Sequence, residues 1–145
     1  MSFDHEIFRS AGRMAALKLR DEAANLTGTE IIDREKDVPA FDPEKDYSNW
    51  PVKAPVQDER QVWLLLQPYN AAHYAGRPST LRALWGLAHT TDPAKAKPWV
   101  DAYGTSGMYM IGECYVDDAG VVWRCLQDNV VHPAAVLPNA WEVAY

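Results

Sequence analysis

Val56-Gln-Asp-Glu-Arg-Gln-Val-Trp-Leu-Leu-Leu-Gln67 and Val116-Asp-Asp-Ala-Gly-Val-Val-Trp-Arg-Cys-Leu-Gln127 share one pattern at a constant offset of 60 residues. Val56, Asp58, Val62, Trp63, Leu66 and Gln67 match Val116, Asp118, Val122, Trp123, Leu126 and Gln127. An Asn (Asn70, Asn129), a Pro (Pro78, Pro138) and a Trp (Trp85, Trp141) follow in that order each time. The ordered recurrence predicts internal duplication. Each copy reads as a β-hairpin, with polar turn residues between β-branched and aromatic runs.

In the second copy, Asp117-Asp118-Ala119-Gly120 is turn chemistry between strands expected near 113–118 and 121–126. A two-residue Ala119-Gly120 loop pairs positions whose numbers sum to 239. Cys114 then faces Cys125 on one side of the ribbon, close enough for a disulfide. Two buried free thiols remain the alternative. The first turn, Asp58-Glu59-Arg60, has no Gly, so its geometry is open.

The chain before the repeats has a different period. Phe8, Ala11, Ala15, Leu19, Ala23 and Leu26 recur at spacings of three and four, which predicts a helix over about residues 4–26. Thr27 and Glu30 have capping-box spacing and start a short second helix over about 28–36. Pro39 and Pro43 end it. The expected architecture is α+β: an N-terminal helical segment (1–38), a first β module (39–88) and a second (89–145).

The 145 residues carry 14 Lys plus Arg and 20 Asp plus Glu, a formal charge of -6. That balance argues against sequence-independent nucleic-acid binding, which needs cations for the phosphates. No apolar run approaches a membrane span, and the first residues are too polar for a secretory signal. The Asn25-Leu26-Thr27 glycosylation match is read as accidental without such a signal. The composition, 48% apolar and 23% charged, is globular. Six Trp, seven Tyr and ten Pro indicate aromatic-rich, turn-rich units.

Tyr109, Gly112, the hairpin, Trp123-Arg-Cys-Leu-Gln127, Asn129 and the closing Pro138-Asn-Ala-Trp141 resemble the small chitin-binding type carbohydrate-binding modules. Pro78-Ser-Thr-Leu-Arg-Ala-Leu-Trp85 is similar to the same closing segment in the first copy. The resemblance covers about 99–143, and 47–87 more weakly. Glu113 stands where that family usually has Asp, and Trp123 where it has Tyr. Related modules recur in bacteriophage tail and fibre proteins, and a leading helix before such modules resembles those proteins. The resemblance implies a structural virion protein acting through other virion proteins and its own copies, with glycan adhesion as an addition. A free module that recognises a cell-surface glycan is the alternative. Neither role involves nucleic acid, a membrane or a cofactor.

Sugar-binding modules lay flat rings against the apolar face of a pyranose. Trp99, Tyr103 and Tyr109 in the second module, with Tyr47 and Trp50 in the first, are the candidate rings. Packing between modules or against a partner is the other use for them. Trp63, Trp85, Trp123 and Trp141, at the repeated positions, are expected in the core. Catalysis finds little to build on. Gly104-Thr105-Ser106-Gly107 lacks the Gly a nucleophile elbow needs, because Met108 follows. His5, His73, His89 and His132 have no metal-site spacing, so no metal is expected.

Overall fold

The structure, a computed structural model, describes residues 3–144, with side chains from residue 11 onward. Helix α1 spans Phe3–Glu22 and continues as a 3-10 turn, Ala23–Asn25. Helix α2 (Gly28–Asp33) starts at the expected box: Thr27 Oγ1 accepts from the Glu30 amide at 3.1 Å, and Glu30 Oε1 from the Thr27 amide at 3.0 Å. Two orphan amides of the first turn are thereby satisfied. The helix breaks at Arg34 into a second 3-10 turn, Glu35–Asp37. A Cβ on Gly28 would lie 2.3 Å from the His89 carbonyl, so α2 can pack this closely only with glycine there.

Two sheets follow, giving the expected α+β class. Strands β1 (Pro55–Asp58), β2 (Gln61–Leu65) and β3 (Trp85–Leu87) form an antiparallel sheet in that order. Strands β4 (Lys97–Pro98), β5 (Cys114–Val116), β6 (Val122–Cys125) and β7 (Trp141–Val143) form the other, with β4 parallel to β5. The first sheet is covered on both sides. Val56, Trp63, Leu65 and Trp85 join Tyr47 and Tyr69 in one core. Val62 and Ala88, on the other face, pack against Leu19, Ala23, Ile31 and Ile32 of the helical segment. The second sheet has one aromatic core of Tyr109, Tyr115, Cys125 and Trp141.

The hairpin register departs from expectation. Cys114 pairs with Arg124, Tyr115 with Trp123 and Val116 with Val122, so paired numbers sum to 238. Asp117 donates its amide to the Val121 carbonyl at 2.9 Å, which leaves a three-residue loop ending at Gly120, whose φ is +83°. One residue of slip turns every side chain to the other face. Cys114 and Cys125 therefore point to opposite sides of the ribbon, and both are buried free thiols. The expected facing pair is thus corrected by the turn. In the first hairpin the loop is the two residues Glu59 and Arg60, both at positive φ (50° and 64°).

Candidate functional site

The five rings expected to meet a ligand fall into three settings. Tyr109 is core, 1% exposed, and forms the centre of a stack. Trp99 lies on it at 4.9 Å between ring centroids, and His89 at 3.7 Å. Tyr47 is wholly buried, and Trp50 meets it edge-on at 4.7 Å. Tyr103 stands apart, exposed on the tight turn that Tyr103 and Ser106 close with two backbone hydrogen bonds of 2.9 Å. Tyr47 and Tyr109, two of the candidate rings, are core and present no face to a ligand, because the closing Trp of each unit packs edge-on against them.

Trp99 remains at a surface. It lines an open cleft of about 520 Å³ together with Tyr115, Asp117, Asp118, Trp123 and Pro133. β4 delivers Trp99, and the first residues of β6 deliver Trp123. Trp99 donates its indole N–H to Asp101 Oδ1 at 2.7 Å, which fixes the ring while Tyr109 holds one face. Trp123 donates its N–H to Asp117 Oδ2 at 2.9 Å. The other Asp117 oxygen accepts the Ala119 and Val121 amides, both at 2.9 Å. These bonds, the Trp123 one foremost, hold the Asp117 carboxyl below its usual pKa. Asp118 sits beside it on the exposed loop. The cleft thus combines two indole rings with two carboxyl groups, a set that can hold an apolar ring face while accepting hydrogen bonds from hydroxyls.

Trp123, Asp117 and Asp118 were not expected here. Trp123 was expected to be core like its counterpart Trp63, and the acids were expected to serve the turn alone. Trp63 is 1% exposed and covered by Arg82, whose guanidinium lies 5.3 Å from its ring. Trp123 is only partly buried and opens on the cleft. The one available sequence signal was Arg124, a charged residue where the first copy has Leu64, which marks a sheet with less cover. The expectation of core does hold for Trp63, Trp85 and Trp141.

His89, the first residue of the second unit, is buried beside Arg82 of the first. It is 7% exposed, and as a neutral imidazole it donates Nε2–H to the Gly107 carbonyl at 2.9 Å. Burial pushes its pKa down to about 4, with the Arg82 charge adding to the shift. Arg82 itself donates to the Asp101 carbonyl at 2.8 Å, and Gln61 to the Pro98 carbonyl at 2.8 Å, so these two side chains tie the units together. Among the described residues, no group of three His, Cys, Asp or Glu side chains converges on a common point. No known family model matches the chain, and no curated protein matches it.

Proposed function

We propose that the chain is a structural component of a phage or prophage particle, a decoration, fibre or baseplate protein, that acts through protein–protein contacts rather than catalysis. The observation that carries this reading is the state of α1. Among the described side chains, its apolar stripe is wholly buried only toward the C-terminal end, at Leu19 and at Ala23 just beyond. Ahead of them, Met14 and Leu17 are 68% and 48% exposed, and Ala11 is bare. A helix that leaves its own body with apolar residues uncovered is built to meet another chain. The duplication belongs to the same proposal. Trp85 pairs with Leu65 and Trp141 with Cys125, matched positions of the two copies. Leu66 and Leu126 likewise donate their amides just before those Trp, to Leu84 and Ala140. Electron microscopy of purified particles tests the reading: density for the chain supports it, and particles without the chain would end it. Leu17→Glu should lower incorporation while leaving the melting temperature of the free chain unchanged.

A second reading, a carbohydrate-binding module for a cell-surface glycan, is favoured by one observation, the Trp99–Trp123 cleft with its carboxyl groups. In that case the isolated chain binds selectively on a glycan array. An aromatic hot spot is worth roughly 2–4 kcal/mol, so Trp123→Ala would abolish the signal.

A further inference from the structure

The two units differ in the charge they set against their indoles. In the first, the Arg82 guanidinium lies 5.3 Å from the centroid of the Trp63 ring. Asp58, in the turn of the same hairpin, is paired with Arg77, Nε to Oδ2 at 3.0 Å. Trp50 carries two more cations, Arg20 and Lys45, at 5.5 and 5.2 Å from its centroid. Trp123 and Asp118 stand at the matched positions of the second unit, where the corresponding cations are missing from the sequence. Arg77 precedes Pro78, but Leu137 precedes Pro138. Arg82 stands three residues before Trp85, but Pro138 stands three before Trp141. Among the described residues, no Lys or Arg lines the cleft between Trp99 and Trp123, and neither Asp117 nor Asp118 takes part in an ion pair.

We infer that the Trp99–Trp123 cleft receives an arginine side chain of a partner protein, which takes on Trp123 and Asp118 the places that Arg82 and Arg77 fill in the first unit. A guanidinium is planar and weakly hydrated, so it stacks on an indole at small desolvation cost, and its fork of N–H donors matches a carboxylate. Asp118 offers such a carboxylate on the exposed loop. Asp117 accepts two amides on Oδ1 and the Trp123 indole on Oδ2. Of the roughly four acceptor sites of a carboxylate, that leaves one on Oδ2 for a ligand. The rings are held before anything binds, Trp99 by Asp101 and Tyr109 and Trp123 by Asp117, so little ordering remains to oppose association. Pro98, Pro133 and Ala134 give the apolar stem of the arginine a wall to lie on. A neutral sugar could use the same rings, but it would leave the two neighbouring carboxylates without a counter-charge. The inference deepens the assembly reading and rests on it, since the arginine belongs to a neighbour in the particle.

The test is a titration of the full chain with the peptide acetyl-Gly-Arg-Gly-amide, followed by the indole N–H signals in nitrogen–proton correlation spectra. The Trp99 and Trp123 signals should move together, while that of the covered Trp63 stays in place. The same peptide with citrulline for arginine keeps the shape without the charge and should move neither. Asp118→Asn removes a charge from the exposed loop and leaves the Asp117 bonds intact, so it should weaken binding about threefold. Trp123→Ala should weaken it by about five- to thirtyfold, the range of a cation on an indole face, with circular dichroism to confirm that the variant folds. Rising salt should also weaken binding, because the carboxylates are near solvent. The absence of any shift overturns the inference, as do equal shifts with the citrulline peptide or an affinity unchanged in Asp118→Asn. The trimer of N-acetylglucosamine moving the two indole signals where the arginine peptide does not would overturn it as well, and would give the cleft to a glycan. If the peptide failed to bind while the chain was present in particles, the cleft's role would fall and the assembly reading would stand. If it bound while particles lacked the chain, the assembly reading would fall and take the proposed partner with it.

Discussion

Strand β2 carries Val62-Trp63-Leu64-Leu65 and strand β6 carries Val122-Trp123-Arg124-Cys125, yet the two pairs of faces end differently. In the first unit both faces are closed: Trp63 and Leu65 enter one core, while Val62 and Leu64 meet the helical segment. In the second unit only one face has a full core. Arg124 sits partly exposed opposite Glu142 and pairs with it at 3.4 Å. Trp123, at the rim of that core, borders an open cleft. The same hairpin pattern thus makes a structural centre where other segments cover it and an open cleft where they do not. Burial belongs to the neighbours of a strand as much as to the strand itself.

The widest gap should appear when the paired indoles are truncated. Trp63→Ala should lower the unfolding free energy by about 3–5 kcal/mol, the cost of a large core truncation. Trp123→Ala should cost about 1–2 kcal/mol, the range of an ordinary partly buried site. Urea denaturation of the two variants measures the difference; equal losses would break the comparison, since they would mean that Trp123 is as enclosed as Trp63.

The second unit should respond to acid through His89. Folding holds His89 neutral, with a pKa of about 4 against roughly 6.5 when unfolded. Its contribution is fully present above pH 6.5 and is lost as pH falls toward 4, where the unfolded chain takes up a proton and the native chain does not. The loss is at most about 3 kcal/mol. Stability measured against pH for wild type and His89→Gln should show a smaller acid loss in the variant over that window. Parallel curves would mean that folding does not hold His89 neutral.

A smaller effect separates the turns. Left-handed backbone costs a residue other than glycine roughly 1–2 kcal/mol. Gly120→Ala should destabilise by about that amount, because open space around the site leaves backbone strain as the only penalty. Arg60→Gly should stabilise by about 1 kcal/mol, since Arg60 already bears that strain at φ 64°. Thermal melts of the two variants should move in opposite directions. The smallest change is expected for Arg124→Leu, within about 0.5 kcal/mol, because an exposed ion pair contributes little. A loss beyond 2 kcal/mol would show that β6 depends on the pair.

Local pattern alone was enough for several elements. The three- and four-residue spacing located α1, the Thr27–Glu30 box placed the start of α2 at Gly28, and the recurring hairpin pattern located β1, β2, β5 and β6. Each rests on contacts between residues a few positions apart, which sequence displays directly. Whether a hairpin loop has two residues or three was not legible, because both suit Asp-Asp-Ala-Gly, and that single residue decided which faces Cys114 and Cys125 occupy. The strands that close each sheet, β3 and β7, carry the repeated Trp, but their pairing with β2 and β6 spans long connections. The Trp99–Trp123 cleft was the least visible. Trp99 arrives from β4, Trp123 from β6 and Pro133 from a later loop, so only the packed chain brings them together. Exposure is set by what lies above a residue, and over the Trp63 ring lies Arg82, which is not near it in sequence.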